Sequence, residues 1–509
     1  MNDTTSENHD WFLAAAARFF NVVFVCGGAA SFLALAYVVY YYAWTGERQI
    51  LGQTGVLLYY ITPGVIGLGL SCCLALKPRY KVDLGLIVIS LGLSLWLGEL
   101  VLRFTRTSPR ANVPVMYAVA ISKDREKEAA KVTKQFGVSI DVRRPFEVLD
   151  DLRARNIDAV PIITPSNHLF IAQPDGSIKS AISIHGTEVI PLAGISNRYT
   201  LLCNESGSYV SYESDEHGFN SPRGLGTQDS VKIVALGDSF THGYCVPDDK
   251  NFIALVRRVH PGTLNLGMAG DGPLLMLATF KEYVRAIKPK VVLWFYFEGN
   301  DLGDLLNERR SNILTRYLED GFSQNLSDRQ IEIDKALSDD IGRQEAVSTQ
   351  RRKMRESTQY TAIFLEVAKL SELRERLGLI AAANSEELGM LSNLRSSETV
   401  GLYGQILSQV RNEVKSRGGS IYFVYLPDTD RFLLGRPGVQ GEQRMRVLNN
   451  VKSQDIPVID MLPVFEAQSD PLSLFPFRQF GHYNEAGHQV VAKEILRVLS
   501  NDAAALGIE

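Results

Sequence analysis

Two stretches of this chain carry residue types that can act together as a nucleophile and its base. Ser239 lies in GDSFTHG, directly after an apolar run, and His482 lies in FRQFGHYNEAGH near the end of the chain. A serine in a tight turn after a buried strand is exposed, and it becomes a nucleophile when a base reaches it. We therefore predict that Ser239 and His482 form a catalytic pair.

Two further turns hold groups that can stabilise a developing negative charge. Gly270 lies in NLGMAGDGP and Asn300 lies in EGNDL, and each turn follows an apolar run. A glycine lets the backbone approach a ligand closely, and an asparagine amide donates hydrogen bonds. The N–H groups of Ser239 and Gly270 and the side chain of Asn300 could together form an oxyanion hole. Each turn alone is a common structural feature, but four in this order are hard to explain by packing.

The elements that must position these residues alternate between strands and helices. Near-continuous apolar strands joined by helices predict an α/β fold with a parallel sheet covered on both faces. Ligands bind beyond the C-terminal ends of the strands in such sheets. The predicted strands are 231–238, 263–268, 290–301, 421–427 and 457–462, and the predicted helices are 250–259, 273–287 and 484–499.

These stretches resemble the sequence blocks of the SGNH subgroup of the GDSL hydrolase superfamily. GDSF, AGDG, GND and the histidine of GHYNEAGH match the four blocks in order, over residues 226–301 and 419–509. The resemblance implies a three-layer α/β/α flavodoxin-like core that hydrolyses or transfers acyl esters without a metal or organic cofactor.

The resemblance also implies a role for each candidate residue, with one departure. Ser239 would be the nucleophile, His482 the general base, and Ser239, Gly270 and Asn300 the oxyanion donors. The family usually has an aspartate three residues before the histidine, where this chain has Gln479. In a serine protease, replacing this acid by its amide costs about 10⁴-fold in rate.

Several groups could take the place of the missing aspartate. The Gln479 side-chain oxygen or a backbone carbonyl can accept the imidazole proton. Asp460, at the end of the fifth strand, and Glu298, beside the third turn, are carboxylate candidates, although both also suit structural roles. The sequence therefore predicts a Ser239–His482 dyad with an uncharged or non-standard third partner.

The first hundred residues predict a membrane anchor. Three apolar runs, at about 20–44, 55–76 and 82–102, are each near the roughly 20 residues that cross a bilayer. The chain starts with MNDTTSENHDW, which lacks the basic region of a signal peptide, so we expect the first run to remain. Basic residues within 77–81 favour an extracytoplasmic position for the rest of the chain, whereas those within 103–110 favour the opposite orientation.

Two regions outside the predicted core have less specific signals. Residues 106–225 predict a small α+β region with short strands and turns. Residues 302–418 predict a charged helical insertion, which is either a subdomain with solvated faces or a lid or docking surface for a protein partner. Of the five cysteines, Cys203 and Cys245 could pair if this part of the chain is exported, and none has metal-ligand spacing.

Two functions follow from these expectations. The first is a membrane-anchored serine esterase or O-acyltransferase that acts outside the cytoplasm, in the periplasm, on acyl esters of a glycan or lipid. The second is a catalytically degenerate domain that binds a glycan or scaffolds an envelope assembly, which the missing aspartate favours. A net charge of −4 gives no indication of nucleic-acid binding.

Overall fold

The chain divides into two compact units in a computed structural model. The first unit is Met1–Pro109 with Gln350–Leu388, and the second is Arg110–Thr349 with Gly389–Glu509. All candidate site residues lie in the second unit. The structure describes residues 3–45, 61–104, 115–122, 124–226, 230–347, 397–433, 438–479 and 481–508.

The described part of the first unit is helical. Its helices are α1 (Asp3–Thr45), α2 (Thr62–Cys73) and α3 (Pro78–Phe104). Within the described residues, two segments are long and apolar enough to cross a membrane, Trp11–Tyr40 and Pro78–Leu102.

Within the described residues, α2 covers only part of the second predicted membrane span, 55–76. This helix has 12 residues, fewer than the roughly 20 needed to cross a bilayer. A proline in its first turn suits the start of a helix, because proline lacks the N–H that a helix interior needs. The beginning of the predicted span 55–76 lies outside the described residues.

The lead-in region, residues 106–225, combines helices with short strands. A three-stranded sheet has the order β1-β6-β7, with β1 parallel and β7 antiparallel to β6, and two hairpins pair β2 with β3 and β4 with β5. Its helices are α4 (Val115–Ile121), α5 (Arg125–Phe136) and α6 (Pro145–Ala154). Its strands are β1 (Ala159–Pro161), β2 (Phe170–Ala172), β3 (Ile178–Ser180), β4 (Ser183–Ile184), β5 (Thr187–Glu188), β6 (Tyr199–Cys203) and β7 (Val210–Glu213).

The main sheet has five parallel strands in the order β12-β11-β10-β8-β9. Counted along the chain, this order is 2-1-3-4-5, which occurs in doubly wound α/β proteins. The strands are β8 (Ile233–Leu236), β9 (Thr263–Asn265), β10 (Val291–Phe297), β11 (Ser420–Leu426) and β12 (Val458–Asp460). Four lie within a stretch that the sequence predicts as a strand, and β11 begins one residue before its predicted stretch, 421–427.

Helices cover both faces of this sheet because successive side chains of a strand point to opposite sides. Val234 and Trp294 pack into one buried cluster, whereas Ile233 and Phe295 pack into another. The helices are α7 (Ser239–His242), α8 (Phe252–Val259), α9 (Pro273–Thr279), α10 (Asp301–Glu308), α11 (Asn312–Arg316), α12 (330–347), α13 (Ser397–Ser416), α14 (Asp430–Leu433), α15 (Gly438–Lys452), α16 (Met461–Glu466) and α17 (Glu485–Leu506).

The last part of the predicted insertion belongs to the packed core. Helix α13 buries Tyr403 and Ile406 in the same cluster as the main sheet, and the indole N–H of Trp294 donates to the Tyr403 hydroxyl at 3.1 Å. Parallel strands require a crossover, usually a helix, and α13 is the helix that leads into β11. Residues 348–396 of the predicted insertion lie outside the described residues.

Candidate active site

Ser239 is the first residue of α7, and the two residues Gly237 and Asp238 separate it from the end of β8. The Asp238 side chain caps this short helix by accepting a hydrogen bond from the Phe240 N–H at 3.0 Å. Ser239 is 8% exposed, which is less than expected from the sequence, because its hydroxyl lies at the sheet edge within packed surroundings. The strand–turn–helix connection therefore fixes the serine at the C-terminal end of β8.

The sheet order places Ser239 between the two candidate oxyanion turns. Strand β8 pairs with β9 on one side and with β10 on the other. Gly270 lies in the turn after β9 with φ of +82°, a conformation that favours glycine. Asn300 follows β10 and precedes α10, and it is half-buried. All three residues thus lie at the same edge of the sheet.

His482 reaches Ser239 from the other end of the chain. Its Nε2 lies 2.8 Å from the Ser239 Oγ, across a separation of 243 residues. Asn484 caps α17 by accepting from the Gly487 N–H at 3.1 Å, which fixes the turn that carries the histidine. The imidazole packs against the rings of Phe240 and Tyr244, with centroids 4.9 and 4.8 Å away. These contacts fix both the position and the plane of the ring.

A carboxylate from the lead-in region binds the opposite side of His482. Glu205 Oε1 lies 2.9 Å from His482 Nδ1, and Glu205 Oε2 accepts from the His482 backbone N–H at 3.0 Å. An ionised carboxylate can only accept hydrogen bonds. The imidazole proton is therefore on Nδ1, which leaves Nε2 free to accept from Ser239.

A glycine makes room for this carboxylate. Gly481 has φ of +151°, and a Cβ atom at this position would lie 3.2 Å from Glu205 Oε2. A larger residue would therefore be strained in its backbone and would crowd the carboxylate. Gly481 in FRQFGHYNEAGH lets His482 and Glu205 meet.

Glu205 corrects the sequence-based expectation for the partner of His482. Asp460 instead caps α16, accepting from the Leu462 N–H at 3.1 Å, and forms an ion pair with Arg444. Among the described residues, Gln479 has no side-chain hydrogen bond to His482. The third partner is therefore a carboxylate, not an uncharged group.

Glu298, the other carboxylate candidate, also binds residues other than His482. It forms an ion pair with Arg431 at 2.5 Å and accepts from the Asp428 N–H at 2.8 Å. The Tyr425 hydroxyl donates to the same carboxylate. These bonds join the ends of β10 and β11, so Glu298 has a structural role at this edge of the sheet.

The electrostatics of the histidine follow from Glu205. Burial acts to lower the pKa of His482, but the Glu205 carboxylate outweighs it and holds that pKa above its ordinary value. Burial likewise acts to raise the pKa of Glu205, but His482 outweighs it and holds the carboxyl below its ordinary range. Glu205 is therefore ionised at neutral pH and favours a positive charge on the imidazole.

Other carboxyls behind these turns are more deeply buried and behave differently. Burial, reinforced by neighbouring carboxyls, raises the pKa of Asp271, Asp301 and Glu308 well above their ordinary values, and burial raises that of Asp304 to about 7. Asp271 is 1% exposed and neither carboxyl oxygen has a hydrogen-bond partner among the described residues. Burial thus disfavours the charged form of Asp271, Asp301 and Glu308, whereas Glu205 is the carboxylate that hydrogen-bonds His482.

A disulfide fixes the segment that carries Glu205. Cys203, the last residue of β6, is bonded to Cys245, with Cα atoms 5.2 Å apart. Cys203 precedes Glu205 by two residues, and Cys245 follows Ser239 by six. Sequence reasoning did not find Glu205, because it lies outside the four turns. The signal that could have found it is this cysteine pair, which, once joined, brings residue 205 near Ser239.

Two other histidines near these elements are structural. Burial lowers the pKa of His242 and of His488 to about 3, so both are neutral. The His488 Nδ1 accepts from the Phe252 N–H at 3.0 Å, and the His242 Nδ1 accepts from the Ala269 N–H at 3.3 Å. Within the described ranges, no group of three or more potential ligands is arranged to hold a metal ion.

Comparison with known proteins finds similarity among solved structures. No protein-family model and no curated protein sequence matches the chain. A candidate lipolytic protein of the G-D-S-L family from Desulfitobacterium hafniense is 16% identical, with a TM-score of 0.29, over 53% of this chain and 99% of the other. A lipase/acylhydrolase from Enterococcus faecalis is 14% identical, with a TM-score of 0.28, over 53% and 95%.

A third similar structure is an acetyl xylan esterase. It is 10% identical, with a TM-score of 0.28, over 53% of this chain and 100% of the other. Identities and TM-scores of this size do not by themselves establish a shared activity. The functional assignment therefore depends on the strand order and on the contacts of Ser239, His482 and Glu205.

Proposed function

We propose that this chain is an SGNH-type serine esterase or O-acyltransferase with a flavodoxin-like core, acting on acyl esters of a glycan or lipid. The observation that carries the proposal is the continuous contact from Ser239 through His482 to Glu205, with both ring nitrogens bonded at 2.8 and 2.9 Å. Nucleophile, base and orienting acid in this arrangement are the working parts of acyl transfer by serine. The transferred group is most simply a short acyl group such as acetyl.

The proposed reaction has two steps. His482 Nε2 takes the proton of the Ser239 hydroxyl as its oxygen attacks the ester carbonyl, and the imidazolium then gives that proton to the leaving alcohol. Water, or an alcohol in a transferase, next loses a proton to His482 and attacks the acyl carbon. The bond from that carbon to the Ser239 oxygen breaks, the imidazolium returns the proton to this oxygen, and the carboxylic acid or the new ester leaves. Glu205 stabilises the imidazolium in both steps and does not itself take the proton.

The tetrahedral intermediate needs donors for its negative oxygen. The N–H groups of Ser239 and Gly270 and the side-chain amide of Asn300 are proposed to supply them, because their turns flank one another at the sheet edge. Removing one such donor from a preorganised site costs about 10²- to 10³-fold in kcat. No metal or organic cofactor is required for this chemistry.

The proposed location is the outer side of a membrane. The Cys203–Cys245 disulfide supports it, because disulfides persist in oxidising compartments and are rare in the cytosol. The apolar helices Trp11–Tyr40 and Pro78–Leu102 would hold the domain near exposed glycans or lipids.

A labelling experiment in cells tests the location. Ile331, in the region between β10 and β11, is 87% exposed. We expect Ile331→Cys, with the free cysteines 26, 72 and 73 replaced by serine, to react with a membrane-impermeant maleimide in intact spheroplasts. Labelling only after lysis would place the domain in the cytoplasm and overturn this part of the proposal.

The alternative of a degenerate glycan-binding or scaffolding domain rested on the missing aspartate. Glu205 supplies an acid on the Nδ1 side of His482, so the absence of an aspartate at position 479 no longer favours a degenerate site. The discriminating experiment is an assay of p-nitrophenyl acetate hydrolysis by the full chain in detergent. We expect turnover that Ser239→Ala and His482→Ala abolish, and equal rates for both variants and the wild type would overturn the proposal.

A further inference from the structure

A single helical turn of the lead-in region, Pro165–Leu169, lies directly against the turn that carries Gly270. The Ser166 hydroxyl donates to the Gly270 carbonyl at 2.6 Å. A Cβ atom at Gly270 would lie 2.3 Å from the Ser166 Oγ and 2.7 Å from the Asn167 Nδ2. The Asn167 amide is thus beside the backbone of a proposed oxyanion donor, with no room for a side chain between them.

The turn is held in place on both sides of Asn167. Pro165 and Leu169 are buried, and the Leu169 carbonyl accepts from the Ala181 N–H at 2.7 Å. The Thr164 N–H donates to the His168 Nδ1 at 3.0 Å. A turn with this π-type geometry is uncommon and is often found at functional sites. Its anchoring means that little conformational freedom is lost when a ligand binds.

Asn167 is the member of this turn that is available to a ligand. Its side chain is exposed, and among the described residues its amide has no hydrogen-bond partner. The amide offers two donors and one acceptor. An alkyl chain placed against it would leave these groups without water or a partner, whereas a hydroxyl-bearing substrate would satisfy them.

We propose that Asn167 is a substrate-contacting residue, whose amide hydrogen-bonds a hydroxyl oxygen next to the scissile ester. The site then selects an acylated carbohydrate over a long-chain lipid ester. This inference rests on the proposed function and adds a substrate class to it. It assigns the lead-in region a second contribution to the site, besides Glu205.

The test compares three probes with Asn167→Ala in the full chain in detergent. The probes are a mono-O-acetylated xylo-oligosaccharide, p-nitrophenyl acetate and p-nitrophenyl octanoate. We expect the wild type to prefer the oligosaccharide to the octanoate. Loss of one neutral hydrogen bond lowers kcat/KM for the oligosaccharide about tenfold, mainly through KM, with p-nitrophenyl acetate changed less than twofold.

A matched control separates this effect from general damage. Asn449 is an exposed asparagine in α15, near the C-terminal end of the helix that precedes β12 and therefore toward the opposite edge of the sheet. Asn449→Ala should leave all three rates within twofold. The oligosaccharide rate of Asn167→Leu should fall at least as far as that of Asn167→Ala.

Other results would overturn the inference. If Asn167→Ala lowered kcat/KM equally for the oligosaccharide and for p-nitrophenyl acetate, the amide would either bind the oxyanion or stabilise the fold, and it would not contact the sugar. No loss on the oligosaccharide, or a wild type that cleaves p-nitrophenyl acetate but not the oligosaccharide, would exclude the proposed contact. A wild type that cleaves no probe, or cleaves as well with Ser239→Ala, would refute the proposed function itself.

Discussion

The carboxylate of Glu205 accepts two hydrogen bonds from one residue, His482. One comes from the ring Nδ1 at 2.9 Å and the other from the backbone N–H at 3.0 Å. The first bond fixes the tautomer that presents Nε2 to Ser239, and the second fixes the turn before α17. An acid from the lead-in region thus orients a base from the end of the core, which makes the two regions one functional unit.

Removing the charge of Glu205 should impair catalysis much more than changing Gln479. Glu205→Gln keeps the size of the side chain but cannot stabilise an imidazolium, so we expect kcat to fall about 10²- to 10⁴-fold. Gln479→Ala, a control in the loop that carries His482, should stay within threefold. The measurement is kcat for p-nitrophenyl acetate. If Glu205→Gln kept nearly the wild-type kcat and Gln479→Ala were inactive, Gln479 and not Glu205 would be the residue that orients His482.

The pH dependence of the rate should report the same pair. Neutral His482 is the base, so activity is lost as pH falls through its pKa, which Glu205 holds above the ordinary 6.5. Glu205→Gln removes the larger of the two carboxylate charges that raise this pKa, so burial, which lowers it, is opposed only by the smaller effect of Asp238. The midpoint of the acid limb of kcat/KM should therefore lie above 6.5 in the wild type and move to lower pH in the variant. An equal midpoint in both proteins would show that Glu205 does not control the pKa of His482.

The disulfide should support both stability and activity. It closes a loop of 42 residues, and the chain-entropy description gives a stabilisation of roughly 4 kcal/mol for a loop of this size. Cys203→Ser/Cys245→Ser should lower the unfolding temperature and reduce kcat, because Glu205 loses its nearby anchor. Thermal unfolding and ester hydrolysis measure the two effects, with Cys72→Ser as the control. An unchanged unfolding temperature would show that other contacts fix this segment.

The side chain of Asn300 should act in the transition state. Asn300→Ala removes a proposed oxyanion donor, so kcat should fall about 10²- to 10³-fold with little change in KM. Steady-state kinetics on p-nitrophenyl acetate separate the two constants. A rise in KM with unchanged kcat would instead indicate that Asn300 binds the ground state of the substrate.

The site residues that the sequence predicted share one property, which is that each can be recognised from its immediate neighbours in the sequence. Ser239, Gly270 and Asn300 follow apolar strands, and the parallel sheet brings strand ends to one edge whatever the connections. His482 precedes a helix with a clear cap. Local pattern and fold class were therefore enough to select these four residues.

Glu205 could not be found in this way, because its role comes from a contact across 277 residues. The short strands around it have no regular pattern, and acidic residues are common in turns. Asp460 seemed suitable only because it ends a strand, but it caps the helix that follows. The prediction of the insertion also lacked information on tertiary contacts. Helix α13 is amphipathic and has a charged face, and only the packing of Tyr403 shows that the helix belongs to the core.

Labelling with a fluorophosphonate probe shows whether Ser239 is an activated nucleophile, because the probe requires a serine that a base has activated and needs no knowledge of the substrate. We expect the probe to label the full chain at Ser239, identified by mass spectrometry of the modified peptide. Ser239→Ala should abolish the label, and His482→Ala and Glu205→Gln should slow it strongly. If the wild-type chain resists the probe, or if Ser239→Ala is labelled equally, Ser239 is not the activated nucleophile.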